Sequence, residues 1–166
     1  MDALMIGLIV GGFLFSVFLI WFFSTWNRLV RLDENAKKSW ADIDVILKQR
    51  YDMIPNLVNI VKGYAEHERE IFEQFAHARQ TAAGCLAQGD VKGVGAAEGM
   101  LSGLIPRINM VAEQYPDLKA DSSFVNLQNQ LVALENQLAD RREFYNASST
   151  NFNSAIQMIP TNFVAS

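Results

Sequence analysis

Two histidines and several acidic residues are the side chains with the most evident chemical potential, and one of these histidines lies in the run Glu66-His67-Glu68. Carboxylates and imidazoles bind transition metals and transfer protons, so this run with Glu113 is one way to build a metal centre. The di-iron pattern of helical bundles requires Glu-x-x-His on two helices. Neither histidine has a glutamate three positions before it. The sequence therefore predicts no metal site.

Nucleophilic catalysis needs a nucleophile within reach of a base and an orienting group. Cys85 is the only cysteine and has no histidine close to it in sequence, and Ser148, Ser149 and Thr150 lack a flanking glycine elbow. A single cysteine also excludes a disulfide scaffold and a cysteine-based zinc or iron–sulfur site. Phosphate-binding and zinc-protease motifs are absent as well. We therefore predict no catalytic residue, no cofactor and no enzymatic activity.

The composition describes a folded chain of modest size. The 166 residues are 50% hydrophobic and 19% charged, with a net charge of −4. Such a chain has enough apolar residues to form a core. An acidic chain without a basic stripe is a poor candidate for nucleic-acid binding, and no nucleic-acid partner is predicted.

The first predicted structural element is an apolar stretch over residues 3–23 that no charged residue interrupts. At ~1.5 Å per residue, a helix of this length crosses the ~30 Å hydrocarbon core of a bilayer. Trp21 and Trp26 lie where an interfacial aromatic belt belongs. A signal peptide would begin with basic residues and end in small ones, which this stretch does not. Residues 1–26 are therefore predicted to be an uncleaved transmembrane anchor.

The flanks of the anchor predict its orientation. Asp2 precedes the apolar stretch, whereas Arg28, Arg31, Lys37 and Lys38 follow it. By the positive-inside rule, the N-terminus lies outside and the remainder of the chain lies in the cytoplasm.

After the anchor, apolar residues recur at helical spacing, and prolines and glycine-containing turns divide them into helices. The boundaries predicted are about 27–52, 54–86, 91–115 and 122–159. Pro55 favours a new helix with Asp52 as its N-cap, and Pro106 should kink or interrupt the third helix. The fold class is all-α: a transmembrane helix followed by an antiparallel four-helix bundle over 27–166. The alternative is one helix kinked at Pro55, giving three long helices.

Glycines at four-residue spacing are the candidates for self-association. Gly7 and Gly11 form a GxxxG pair in the anchor, and such pairs let transmembrane backbones approach closely. Gly95, Gly99 and Gly103 share one face of the third helix. This face either packs against another helix or makes its own helix weak.

Several ordered motifs resemble those of the LemA family, over nearly the whole chain. They are Asn27-Arg28-Leu29-Val30, Ala41-Asp42-Ile43-Asp44-Val45, the run from Leu47 to Val58, the run from Val61 to Glu68, Ala78-Arg79, the run from Glu113 to Ala120, Phe124, Leu127-Gln128, Glu135, Arg141-Arg142, Tyr145-Asn146, Asn151-Phe152-Asn153 and Ile159-Pro160.

The resemblance implies a bacterial protein anchored in the inner membrane, with its bundle in the cytoplasm and no established enzymatic activity. Similar proteins include magnetosome-membrane proteins, which suggests roles in membrane organisation, and others are associated with membrane proteases. The candidate interaction residues are those in the motifs that are expected to be exposed: Arg50, Asp52, Asn56, Lys62, His67, Glu68, Tyr115, Asp117 and Asn146.

Three functions follow as hypotheses. The first is a non-enzymatic scaffold or adaptor that binds other membrane proteins at the inner membrane. The second is a homo-oligomer that organises or remodels the lipid bilayer through the glycine faces. The third, and least supported, is a carboxylate metal enzyme using Glu66, His67, Glu68 and Glu113.

Overall fold

A computed structural model describes residues 3–165, which form helices joined by short turns with no β-strand in that range. The all-α fold class is thus confirmed. Asp2, on which the orientation prediction partly rests, lies outside the described residues. The helices are α1 (Ala3–Tyr64), α2 (Arg69–Ala87), α3 (Val91–Gln114), α4 (Pro116–Ala120), α5 (Ser122–Gln157) and α6 (Asn162–Ala165).

The apolar stretch and the first helix that follows it are one continuous helix, α1, with Pro55 inside it. The predicted break before residue 54 is wrong, and Asp52 is an internal residue and not an N-cap. The predicted helix 54–86 is also wrong, because α1 ends at Tyr64 and a turn precedes α2. The buried positions explain this end: Ala65 is buried and the next buried residue is Ile71, so the polar residues between them give a helix no apolar face.

A long-range hydrogen bond explains why Pro55 does not end α1. Proline has no N–H, so the carbonyl of Tyr51, four residues earlier, loses its helical donor. Arg79 of α2 supplies a replacement, because its Nε donates to that carbonyl at 2.7 Å. Tyr51 is itself buried. A donor from another helix therefore satisfies the backbone group that proline leaves open.

The α2–α3 turn requires glycine at two positions. Gly89 has φ of +69°, a left-handed conformation that favours glycine after a helix. Asp90 caps α3, since its Oδ1 accepts a hydrogen bond from the Gly93 N–H at 3.0 Å. A Cβ on Gly93 would lie only 2.7 Å from the Cys85 sulfur. The close approach of the two helices at this point thus depends on the missing side chain.

Helix α3 continues through Pro106, so of the predicted kink or interruption of this helix, the interruption is wrong and the kink stays a prediction. Pro106 is exposed, whereas Leu104 and Ile108 on either side of it are buried. Packing of both flanking turns holds the helix together despite the lost hydrogen bond.

The contiguous segment Asp42–Asp140 forms one compact unit. Its helical segments alternate in direction: Arg79 meets Tyr51 while Lys62 lies over Phe72, so α1 and α2 are antiparallel. Helices α2 and α3 pack as a hairpin, and α5 runs against α3. This is the antiparallel four-helix arrangement that periodicity predicts. The most deeply buried apolar side chains include Leu47, Leu57, Val61, Phe75, Ala82, Leu101, Ile108, Leu118, Phe124 and Leu138.

Residues 3–41 and 141–165 form a second compact unit. In it, the rings of Trp40 and Tyr145 lie 5.4 Å apart between α1 and α5. From Met5 to Phe18 every side chain of α1 is exposed. This part of α1, near its N-terminus, is long and apolar enough to cross a membrane. The division at residue 26 falls inside the continuous helix and stays a prediction.

Candidate functional site

The most unusual chemistry in the Asp42–Asp140 unit is a buried ion pair. Arg50 projects from α1 and is 1% exposed, and Glu98 projects from α3 and is 2% exposed. Arg50 Nη1 lies 2.5 Å from Glu98 Oε2. Each charge lies on the apolar face of its helix: Leu47 and Ile54 flank Arg50 on α1. Among the described residues, these are the two charged side chains that are buried.

A second carboxylate and a hydroxyl complete the charge cluster, by which we mean Arg50, Glu98, Ser102 and Glu135. Arg50 Nη1 also lies 2.8 Å from Glu135 Oε2 of α5. Arg50 Nη2 donates to Ser102 Oγ at 3.2 Å, and Ser102 Oγ lies 3.4 Å from Glu135 Oε1 and donates to it. The Glu135 side chain is 42% exposed, so the cluster reaches from the core to the surface.

The electrostatics of the charge cluster fix its geometry. An unpaired guanidinium in the core would carry a large desolvation cost, which paired carboxylates offset. One guanidinium faces two carboxyl groups. Glu98 is enclosed with Arg50, whereas the Glu135 side chain is 42% exposed.

Glu135 lines an open groove between α3 and α5, with a volume of 470 Å³. Its walls are apolar, and amide side chains are spaced along it; one pair, Gln128 and Asn109, is hydrogen-bonded across the groove at 2.6 Å. Glu135 is the charged residue of this lining among the described residues. The lining is Leu57, Ser102, Ile105, Pro106, Ile108, Asn109, Gln128, Asn129, Leu131, Val132, Glu135 and Asn136.

The groove is suited to recognition. Its amides both donate and accept hydrogen bonds, and Glu135 accepts them with a negative charge. The buried Arg50 holds the Glu135 carboxylate in place, so little conformational freedom remains to be lost when a cation binds. A segment with apolar side chains and one basic group matches these features.

The structure separates the nine candidate interaction residues from this groove, since none of them lines it. Arg50 is buried, so the expectation that it is exposed is wrong; its apolar neighbours and two carboxylates draw it into the core. Asp52, Asn56, Lys62, His67, Asp117 and Asn146 are exposed, and Glu68 and Tyr115 are half-buried. A role for these eight in binding stays a prediction.

Glu98, Ser102 and Glu135 were not predicted as partners of Arg50. A signal for them existed, because carboxylates at these positions interrupt apolar faces. Glu98 lies on the face of α3 that also carries Leu101, and Glu135 lies four residues after Leu131. A carboxylate at such a position indicates a buried cationic partner.

The acidic residues proposed for a metal centre are not brought together. Glu66, His67 and Glu113 are exposed, and Glu68 is half-buried. Within residues 3–165, no three His, Cys, Asp or Glu side chains are grouped so that they could hold a metal ion.

A polar contact also joins the end of α1 to the start of α5. Tyr64 donates its hydroxyl to Asp121 Oδ2 at 2.8 Å, and Asp121 Oδ1 accepts the N–H groups of Ser123 and Phe124. The hydrogen bond from Tyr64, followed by those from the two N–H groups, lowers the pKa of Asp121. The same bond to Asp121 raises the pKa of Tyr64.

The glycines proposed for self-association are accessible. Gly95, Gly99 and Gly103 are exposed on α3, and beyond the adjacent residues and the local helix backbone no atom lies within 4 Å of where a Cβ would be on any of them. The same holds for Gly7 and Gly11 in the apolar part of α1.

The family relationship rests on residues 39–166, which match the model of the LemA family. This chain belongs to the LemA family. The matched range includes the whole charge cluster and begins after the apolar part of α1.

Relatives of this LemA-family chain are known from bacteria. It is 26% identical over 164 residues to magnetosome protein MamQ 2 of Paramagnetospirillum magneticum, covering 84% of this chain and 60% of that protein. Magnetosome protein MamQ of Magnetospirillum gryphiswaldense is 23% identical over 163 residues, with the same coverage. Protein LemA of Metamycoplasma hominis is 26% identical over 141 residues, covering 84% of this chain and 63% of that protein.

The chain thus spans about three fifths of the length of these curated relatives. Neither the family description nor the names of these relatives state a catalytic activity. Together with the apolar helix, the comparison describes a membrane-associated helical protein.

Proposed function

We propose that this LemA-family chain is a non-enzymatic scaffold or adaptor anchored in the bacterial inner membrane. Its α3–α5 groove binds a segment of another membrane protein that carries apolar side chains and a lysine or arginine. The N-terminus lies outside, and the Asp42–Asp140 unit lies in the cytoplasm. The observation that carries the proposal is Glu135, a groove-lining side chain that is 42% exposed and whose Oε2 lies 2.8 Å from a buried arginine.

The size of the groove favours a partner segment. Its walls extend over residues 102–109 of α3 and 128–136 of α5. At ~1.5 Å per residue this is roughly 10 Å, or about two turns of a docked helix. A short amphipathic segment in such a groove uses its apolar face for affinity, and a charge at the rim adds orientation.

Membrane location draws on two further observations. The exposed side chains from Met5 to Phe18 are nearly all apolar, and a bilayer would cover them. Arg28, Arg31 and Lys38 follow this stretch, and by the positive-inside rule these basic residues favour the cytoplasmic side.

Site-specific photocrosslinking in cells tests the proposal. A photoreactive amino acid replaces Val132, which lines the groove and is 56% exposed. The matched control carries it at Gln130, which is exposed on the same helix but does not line the groove. We expect adducts at position 132 and not at 130, with a lysine or arginine in the crosslinked partner peptide. Glu135→Gln should reduce their yield. Equal adducts at both positions, or adducts insensitive to Glu135→Gln, would overturn the proposal.

Self-assembly is the second candidate function, and the open glycine face of α3 favours it. Gly95, Gly99 and Gly103 leave a strip against which a second copy can pack closely. In that case Gly99→Leu should reduce the oligomeric mass in mild detergent, measured by light scattering, without loss of helicity. An unchanged mass would exclude this face as the contact. Crosslinking at position 132 to the chain itself would favour self-assembly through the groove.

A further inference from the structure

A short apolar turn, residues 158–165, presents large hydrophobic side chains to its surroundings. Ile159 is 79% exposed, Phe163 is 74% exposed and Met158 is 61% exposed. From residue 144 to residue 166 the sequence contains no Asp, Glu, Lys or Arg. An uncharged segment with three such side chains exposed is unfavourable in water and marks a contact surface.

The packing of α6 places this turn beside α1. Val164 is buried in a cluster with Leu29 and Ala155. Trp21 and Phe22, at the end of the apolar part of α1, pack against the same cluster. The apolar turn therefore lies at the level where α1 leaves the predicted hydrocarbon core, within about two helical turns of the aromatic belt.

The backbone of the turn is suited to the membrane interface. The N–H groups of Asn162, Phe163 and Val164 donate within the turn, to the carbonyls of Met158, Pro160 and Thr161. Polar backbone groups that are satisfied locally can enter the headgroup–acyl boundary at low cost. Exposed methionine, isoleucine and phenylalanine side chains are the types that insert there.

We propose that residues 158–165 form a second membrane contact, inserting Met158, Ile159 and Phe163 into the interface of the bilayer that α1 crosses. The occupant of this surface is phospholipid, because the segment contains no charged residue and packs against the cluster that Trp21 and Phe22 of α1 also contact. The inference rests on the proposed membrane anchoring. Its consequence is that α1 near Leu29 and α5 near Ala155 are both held at the bilayer surface.

Spin-label depth measurements on the full chain in phosphatidylcholine nanodiscs test this inference. Cys85→Ala removes the native cysteine, and single cysteines then replace three phenylalanines of similar exposure. Phe163 reports the apolar turn, Phe144 on α5 is 60% exposed and reports water, and Phe15 on α1 is 62% exposed and reports the hydrocarbon core. Collisions with oxygen and with a water-soluble nickel chelate give the depth of each label.

We expect the label at 163 to lie roughly 5–10 Å below the headgroup boundary, the label at 15 deeper and the label at 144 in water. A label at 163 as accessible to the nickel chelate as that at 144, with 15 still buried in lipid, would overturn this inference alone. A label at 15 in water would overturn the membrane anchoring itself. A label at 163 shielded from both reagents would show that protein covers the turn, which also overturns the inference.

Discussion

Arg79→Met should destabilise the protein through a backbone carbonyl 28 positions away. Pro55 leaves the Tyr51 carbonyl without its helical donor, and Arg79 Nε replaces it at 2.7 Å. Methionine retains an aliphatic stem of similar length but donates no hydrogen bond. A bond from a charged group contributes about 1.5–3 kcal/mol, and a buried carbonyl left unsatisfied costs a similar amount. We expect the free energy of unfolding to fall by about 2 kcal/mol.

The Pro55→Ala background separates the Arg79 hydrogen bond from the packing of the Arg79 side chain. Alanine restores an N–H at position 55, which can donate to the Tyr51 carbonyl as in any helix. In this background, Arg79→Met should lower the free energy of unfolding only by the packing that the side chain loses. That decrease should be well below the decrease in the native background. The coupling between the two substitutions measures the hydrogen bond itself, separate from packing losses that both backgrounds share.

Urea unfolding followed by helical circular dichroism in nanodiscs provides the assay. With a slope of ~1–3 kcal/mol per molar, a loss of 2 kcal/mol lowers the midpoint by roughly 1 M. Arg69→Met is the matched control, since Arg69 is an exposed arginine on the same helix. An Arg79→Met effect equal in both backgrounds, or no larger than that of the control, would refute the account of how α1 passes through proline.

Two further predictions follow from the polar contacts. Glu98→Gln should lower the free energy of unfolding by about 3 kcal/mol, because it leaves the buried Arg50 charge with one fewer carboxylate partner. Glu135→Gln should lower it by only about 1 kcal/mol, because the Glu135 side chain is half-exposed. Equal urea midpoints for the two variants would contradict this. The Tyr64–Asp121 bond lowers the pKa of Asp121 and raises that of Tyr64, so its stabilisation is fully present between about pH 4 and pH 10. It is lost as pH falls through the lowered Asp121 pKa and as pH rises through the raised Tyr64 pKa. Tyr64→Phe should therefore unfold more easily than the native chain near neutral pH and match it at both extremes, and a gap independent of pH would contradict the assignment.

The fold could be predicted where local pattern decides it. Apolar spacing at 3.6 residues predicted helices throughout, and the four long segments with short connections predicted an antiparallel bundle. The break at Pro55 could not be predicted correctly, because the local rule for proline was overridden by Arg79, a donor on another helix. The end of α1 at Tyr64 did have a local signal in the sequence, namely the polar run over residues 66–70 before Ile71, which the capping preferences around Pro55 obscured.

The site was harder to predict because its members come from three helices. Arg50 and Glu98 are 48 positions apart, and the apolar residues Leu47 and Ile54 beside Arg50 do not identify its partners. Long charged side chains are usually found at the surface, so the expectation of exposure followed the general rule. Arg50 is buried because two carboxylates, one on α3 and one on α5, face it in the core. This pairing can be recognised only when the register of α1, α3 and α5 is known.

The main effect of the charge cluster is on the register of these three helices. A buried ion pair contributes little net stability, since apolar residues of similar volume often serve as well. The Arg50 pair with Glu98 is therefore poorly explained as a stabilising device. Its geometric effect is larger: the same guanidinium contacts Glu98 of α3 and Glu135 of α5, so it fixes both helices against α1. The result is that the Glu135 carboxylate is held at the wall of an open groove. On binding a cation it would lose less conformational freedom than a flexible surface glutamate would lose.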